Sequence, residues 1–134
     1  MKKILAPMII GVLFMLTPVL AIGASITGSV QGYMCVTQGQ VCPIGMEDPV
    51  AAVEQVFVLL VDAKKMNYYF VPNVDRVVMA RHINSEITIE GDVNEKAKTI
   101  KARSIMKKGK KVWSVDLEDR IYKDLLGNHP LTSG

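Results

Sequence analysis

Cysteine and histidine are scarce in this chain, and their spacing excludes several familiar kinds of site. The 134 residues contain two cysteines, Cys35 and Cys42, and two histidines, His82 and His129. No Cys-x-x-Cys or His-x-x-x-His pair occurs, and no glycine-rich loop is followed by the Lys-Ser/Thr pair that cradles phosphate. The acidic residues form no close pair suited to general acid–base work. The sequence therefore predicts a protein that is not an enzyme.

Long apolar stretches are also missing, except at the beginning of the chain. Two lysines precede the uncharged segment Ile4–Ile22, and small residues follow at 21–25. This is the layout of a secretory signal peptide. An uncleaved anchor is the alternative, because nineteen residues at about 1.5 Å each nearly cross a bilayer, but Pro18 and the small residues favour cleavage. We expect a periplasmic or secreted protein whose leader, residues 1–24, is its only membrane contact.

Charge of one sign is not in excess once the leader is set aside. The full chain has 16 basic and 13 acidic side chains, and removing Lys2 and Lys3 leaves 14 basic ones. A near-neutral domain gives no strong electrostatic reason to expect nucleic acid as a partner. Eight basic residues nevertheless crowd between Lys96 and Lys111. A solvated hairpin that protects a sheet edge accounts for them, and an anion-binding or membrane-surface patch is the alternative.

The length and the apolar patterning predict one small β domain, residues 25–115. Val56–Asp62 is an apolar, β-branched run of strand length, which is typical of a buried strand. Glu86–Gly91 alternates polar and apolar residues, as a strand with one wet face does. The first strand is predicted to extend over Ser25–Val36, with Met34 in the core. We expect a mainly β fold: a small barrel of five to six strands with one short helical connection and a C-terminal helix.

Helical spacing appears in the connections and at the end of the chain. A short turn is predicted after Asp48, as its N-cap, with Pro49 in the first helical position. Another helix is predicted between the third and fourth strands, on the spacing of Val74, Val77, Val78 and Arg81. The C-terminal segment 116–134 begins with a helix capped by Asp116 and ended by Gly127. Its apolar stripe consists of Leu117, Ile121 and Leu125.

Five strands with a helical connection after the third is the order of the oligonucleotide/oligosaccharide-binding (OB) barrel. The chain resembles small exported bacterial proteins with such OB-like domains, a group largely of unknown function. The resemblance spans about residues 26–106 and rests on Gly32–Cys35, Val58–Asp62, Tyr69, Ile87–Gly91 and Ile100–Ile105. Histidines that such proteins often carry near the first cysteine are absent here. The resemblance implies the fold rather than an activity.

The two cysteines are predicted to form a structural disulfide. Both lie in the exported part, where an isolated pair usually bonds, and they are seven positions apart. By the chain-entropy argument, so short a loop stabilises the domain by roughly 2–3 kcal/mol. A redox-active thiol pair is one alternative. The other is a soft-metal site for copper(I), formed by Cys35, Cys42 and Met46 with His82, since thiolate and thioether sulfurs favour that ion; no other cofactor is expected.

A surface of aromatic rings and cations is the remaining candidate site. OB barrels bind ligands by stacking on exposed rings, and Tyr69 with Lys101 and Arg103 is a candidate groove for an anionic glycan or nucleic acid. Tyr68 and Phe70 share one face of their strand and Tyr69 takes the other. The leading interpretation is a non-catalytic exported accessory or binding module, stabilised by the disulfide. Its expected partner is another exported or envelope protein, and no nucleic acid.

Overall fold

The computed structural model describes residues 23–127, which form six strands and four helices. The strands are β1 (Ala24–Gly32), β2 (Phe57–Asp62), β3 (Asn67–Phe70), β4 (Glu86–Asn94), β5 (Thr99–Lys107) and β6 (Lys110–Ser114). The helices are α1 (Tyr33–Thr37), α2 (Glu47–Val53), α3 (Arg76–Ala80) and α4 (Val115–Leu126). Residues 1–22 of the predicted leader lie outside the described residues, and so do His129 and the rest of the tail after Gly127.

The six strands form one sheet that closes on itself. Their order is β3-β2-β1-β4-β5-β6 with antiparallel neighbours, and the sheet closes where Phe70 of β3 pairs in parallel with Thr99 of β5. Asn73 supports the closure, because its side chain donates to the carbonyl of Ala102 at 2.7 Å and accepts from the same residue's N–H at 2.8 Å. The last strand, β6, lies beside β5 outside the closed ring. The predicted mainly β fold is confirmed.

The closed sheet encloses the main core. Its six most deeply buried large side chains on the inner face are Val30, Leu59, Ile87, Ile89, Ile100 and Ile105. The predicted alternation in β4 is confirmed, since its apolar residues point inward and its polar residues outward. A bulge at Gly91 lets β5 approach closely, and a Cβ there would collide with the carbonyl of Lys101. Strand β2 is buried on both faces because Val36 of α1 covers its outer side.

The prediction that the first strand continues to Val36 is wrong. Strand β1 ends at Gly32, and Tyr33–Thr37 is helical, so Met34 is 54% exposed instead of lying in the core. The physical reason is distant in sequence: the carboxylate of Glu54 accepts the N–H of Met34 at 2.8 Å. Gly32 makes room for this contact, because a Cβ there would lie 2.6 Å from the Glu54 carboxylate.

Two predicted helix caps are also corrected. Helix α2 begins at Glu47, two residues before Pro49, and Asp48 is inside the first turn. Helix α4 is capped by Ser114, whose Oγ accepts the N–H of Leu117 at 3.2 Å, and Asp116 again lies inside the first turn. Acidic residues are favourable in both positions because of the helix dipole. The third helix and the end of α4 at Gly127 are where the sequence predicts them.

Candidate binding groove

Cys35 and Cys42 form a disulfide just after β1, as the sequence predicts. Their Cα atoms are 5.4 Å apart. Cys42 is fully buried, and its Sγ accepts a hydrogen bond from the N–H of Gly32 at 3.1 Å. Cys35 belongs to α1 and is partly buried. Structural disulfides form and persist in oxidising compartments, in agreement with a location outside the cytoplasm.

A buried amide ties the disulfide loop to the sheet. Gln31 is 2% exposed, and its Oε1 accepts the N–H of Cys42 at 2.6 Å. Its Nε2 donates to Ser29 Oγ at 2.8 Å and to Asn84 Oδ1 at 3.1 Å. The Asn84 amide donates to Glu47 at 2.8 Å, and this hydrogen bond lowers the pKa of the Glu47 carboxyl. The Gln31 side chain is therefore fully bonded within the chain.

A buried carboxylate organises the segment beside the disulfide. Glu54 is 3% exposed, and besides Met34 it accepts the N–H groups of Gln55 at 3.0 Å and Val56 at 3.2 Å. Arg76 donates from Nε to the backbone carbonyl of Glu54 at 2.9 Å and packs over the ring of Phe57 at 5.7 Å from the centroid. The Glu54 carboxylate and the Arg76 side chain are thus bonded to backbone groups of this chain.

The residues proposed for copper are the two bonded cysteines, Met46 before α2 and His82 after α3. Both sulfur atoms of Cys35 and Cys42 are joined in the disulfide, so a thiolate site concerns only the reduced protein. Met46 is 49% exposed before α2, and His82 follows α3. Among residues 23–127, no group of three or more His, Cys, Asp or Glu side chains is placed to hold a metal ion.

The three residues proposed for glycan or nucleic-acid binding do not share a surface. Tyr69 is 6% exposed and packs in the main core. Its hydroxyl donates to the carboxylate of Glu95 at 2.7 Å, which raises the pKa of Tyr69, and the ammonium of Lys98 lies 4.8 Å from the ring centroid. Lys101 and Arg103 are exposed on β5, and Arg103 pairs with an aspartate at 3.0 Å. Tyr69 has little ring surface left for stacking.

The other aromatic residues form a small cluster on the outer face of β2. The rings of Tyr33, Tyr68 and Phe70 have centroids 5.4–6.1 Å apart. Tyr68 and Phe70 share the face opposite Tyr69, as the sequence predicts, and both pack over Val58 and Leu60. Two of the three contacts are edge-to-face, so the rings are turned toward one another. This geometry favours packing over a flat stacking platform.

A groove of about 580 Å³ lies between α3 and α4, and we call it the α3–α4 groove. Its volume falls in the range of roughly 300–1,000 Å³ that is common for binding sites. Strand β6 contributes Val112 and Trp113 to it. The main apolar side chains of its walls are Val77, Val78, Leu117, Ile121, Tyr122 and Leu125. The groove is therefore mostly apolar and open to solvent.

Among the described residues, helix α4 is held to the body by hydrogen bonds at its beginning. Besides the Ser114 cap, Trp113 donates from Nε1 to the carboxylate of Glu118 at 2.7 Å. The later apolar residues are exposed: Ile121 by 48%, Leu125 by 73% and Leu126 by 57%. The predicted stripe thus exists, but it faces the groove without covering it.

Within the described part of the chain, the acidic residues of the groove are hydrogen-bonded internally, whereas its arginine is not. Asp75 accepts the N–H of Val77 at 2.7 Å as the cap of α3, and Glu118 accepts the Trp113 indole. Arg81 is exposed and has neither an ion pair nor a side-chain hydrogen bond within the part of the chain that the structure describes. The acidic groups are therefore bonded internally, whereas this cation is free to meet an anionic partner.

His82 lies next to Arg81 in the lining of the groove. It is partly buried, and its Nδ1 has no hydrogen-bond partner among the described residues. Burial, followed by the positive charges of Lys107 and Arg81, lowers the pKa of His82. Lys107 itself donates to Ser85 Oγ at 3.0 Å. Arg81 and His82 thus line the groove and Lys107 lies near His82, and no carboxylate among the described residues is bonded to any of the three.

The groove is the feature that sequence reasoning missed. Both of its helices were predicted, with Val77, Val78 and Arg81 on one and Leu117, Ile121 and Leu125 on the other. The signal was present in part, because both helical segments carry apolar residues at helical spacing. What the pattern does not show is that the two stripes lie opposite each other.

Comparisons of the chain with protein-family models, with curated proteins and with solved structures found no match. Over residues 23–127, no helix has the length and apolar character needed to cross a membrane.

Proposed function

We propose that this protein is a non-catalytic, exported accessory module that binds another exported or envelope protein in the α3–α4 groove. The observation that carries the proposal is the groove itself. It has apolar walls, an unbonded cation at Arg81 and a volume of about 580 Å³. Exposed apolar surface of this kind marks interaction sites in soluble proteins.

The disulfide supports the exported location. The Cys35–Cys42 bond agrees with an oxidising compartment, and the segment Ile4–Ile22 has the pattern of a leader. The protein isolated from its own cell should lack the leader, and reduction should add the mass of two protons. Free thiols in the natively exported protein would contradict this part of the proposal.

The shape of the groove supports a protein segment as its occupant. An amphipathic helix lies in an apolar groove through residues at helical spacing, and the twelve residues of α4 offer a wall of about 18 Å. We call the bound protein the client. A helix of the client would bury Ile121 and Leu125, and burying a large aliphatic side chain contributes roughly 1.5–3 kcal/mol.

A photo-crosslinking residue placed at Ile121, in the cell that makes the protein, tests the groove directly. We expect an adduct with one exported or envelope protein, which mass spectrometry then identifies. The matched control is Asp119, which is exposed on the same helix but does not line the groove. Equal labelling from both positions, or none from Ile121, would count against the groove.

Binding of the identified client in purified form completes the test. Ile121→Asp should weaken binding by at least about tenfold, because it places a charge in an apolar contact. The matched control is Val53→Asp, which changes an equally apolar residue, 67% exposed, on α2. Equal loss in both variants would show that general surface hydrophobicity, and not the groove, is responsible.

A further inference from the structure

The second half of α4 exposes several large apolar side chains. None of the twelve residues of α4 is buried, and Ile121, Tyr122, Leu125 and Leu126 are each about half exposed or more. An isolated helix of this length is only marginally stable in water. A binding partner that covers this face would stabilise both the helix and the α3–α4 groove beside it.

We infer that, when no client is bound, the chain pairs with a second copy of itself, and that each α4 lies in the α3–α4 groove of the other copy. The helices would run antiparallel across a two-fold axis, so that the same surface is used twice. Each α4 is then both a wall of its own groove and the occupant of its partner's groove. The regulatory part of this inference, in which the client displaces the second copy, rests on the proposed function.

The charge of α4 offers partners for a cation of the groove. The helix carries four acidic side chains, Asp116, Glu118, Asp119 and Asp124, against the two basic ones Arg120 and Lys123. The groove presents one cation, Arg81, which has no ion pair within residues 23–127, together with the carboxylates of Asp75 and Glu118. An acidic residue of a partner helix can pair with Arg81, and the first turns of α4 offer Asp116 and Asp119.

The distribution of charge along α4 also favours an antiparallel pair. Its first five residues include Asp116, Glu118 and Asp119 and no basic residue, whereas Arg120 and Lys123 lie in the later part. Antiparallel pairing brings the acidic half of one helix beside the half of the other that carries these cations. The two helix dipoles also oppose each other in this arrangement, which is favourable.

An anionic membrane is a poorer occupant for the same face. Helices that lie on anionic membranes carry lysine and arginine on their polar side, whereas α4 has twice as many acidic as basic side chains. A bilayer surface is also broad and flat, whereas the apolar residues line a groove between two helices. The observations therefore favour a helix from a second copy.

Sedimentation equilibrium of the mature, disulfide-bonded protein over a range of concentrations tests the pairing. We expect a reversible monomer–dimer transition. Ile121→Asp should shift it to at least about tenfold higher concentration, whereas Val53→Asp should leave it in place. A monomer at every concentration, or a dimer that is insensitive to Ile121→Asp, would overturn the inference.

A charge swap tests which groove the helix occupies. Arg81→Glu should weaken the dimer by about tenfold, because it opposes the acidic half of the partner's α4. Combining it with Asp116→Lys should restore part of the loss, since the swapped pair again has opposite signs. A dimer unaffected by Arg81→Glu, or no recovery in the double variant, would show that α4 does not lie in the groove of the second copy.

Crosslinking of the purified protein tests the pairing without placing a charge in the contact. A photo-crosslinking residue at position 121 should give an adduct of twice the chain mass, and one at position 53 on α2 should not. Addition of the client should replace this adduct with a client adduct. If purified protein gives no self-adduct while cells still give a client adduct, the inference fails and the proposed function stands.

Discussion

The disulfide end and the groove end of this small protein differ in how their polar side chains are bonded. At the disulfide end, Gln31 and Glu54 are almost fully buried, and every hydrogen bond described for their side chains is made to this chain. At the groove end, Arg81 has no ionic partner among residues 23–127, and Ile121 and Leu125 face solvent. The first arrangement stabilises the fold, and the second leaves a surface available for binding.

The largest effect is expected when the same substitution, isoleucine to alanine, is compared between the closed sheet and the groove. Ile89→Ala inside the closed sheet should lower the free energy of unfolding by roughly 2–5 kcal/mol, because Ile89 is fully buried and a cavity remains. Ile121→Ala in the groove should change it by about 0.5 kcal/mol or less, as is usual for a surface position. Urea denaturation at low protein concentration measures both values. Similar losses at the two sites would mean that α4 is part of the core.

Removal of the disulfide should have the next largest effect. Replacing Cys35 and Cys42 together with alanine should lower the free energy of unfolding by roughly 2–3 kcal/mol, because the unfolded chain gains the freedom of the opened loop. Denaturant titration of the oxidised wild type and the double variant gives the difference. Client binding and self-pairing should be unchanged under folding conditions. A loss of either would mean that the disulfide affects binding at the groove.

Gln31 gives a smaller effect at the same end. In Gln31→Leu, the N–H of Cys42 loses its acceptor while it remains buried, and an unsatisfied buried group costs roughly 1–3 kcal/mol. The variant Gln55→Leu is a suitable control, since Gln55 is exposed. Chemical denaturation of both proteins gives the comparison. A Gln31 variant as stable as the control would remove the anchoring role assigned to this amide.

The smallest effect concerns the pH dependence contributed by His82. Because its pKa is lowered in the folded protein, the unfolded chain binds the proton more readily. The stability that neutral His82 contributes is present above its ordinary pKa of 6.5 and is lost as the pH falls from there through the folded pKa. His82→Gln should therefore lose less stability than wild type between about pH 8 and pH 5. Urea midpoints at the two pH values measure this, with Lys101→Gln as a control that should behave like wild type.

Local pattern was sufficient to predict the strands that build the closed sheet. The apolar run Val56–Asp62 contains β2, and the alternating segment Glu86–Gly91 is part of β4. A strand buried on both faces is continuously apolar, and a strand buried on one face alternates apolar and polar residues, so each kind can be recognised from the order of its residues. The Cys35–Cys42 bond also followed from the sequence, since only one pairing exists. Membership of the OB class stays a prediction.

Features that depend on distant partners could not be predicted in the same way. Helix α1 replaces the end of a predicted strand because Glu54, twenty positions away, accepts the N–H of Met34. The groove likewise requires β6 to place α4 opposite α3, which precedes it by about forty residues. Tyr69 is in the core instead of on a ligand surface because its side of β3 faces inward.

The position of β6 outside the closed ring has a consequence for how this protein can change over evolution. Closure depends on Phe70, Thr99 and Asn73, all of which precede the lysine-rich hairpin turn that leads into β6. The chain after Lys107 contributes none of these closing contacts, although Trp113 of β6 packs in the main core. Substitutions, insertions or a different helix after β6 therefore leave the closing contacts intact.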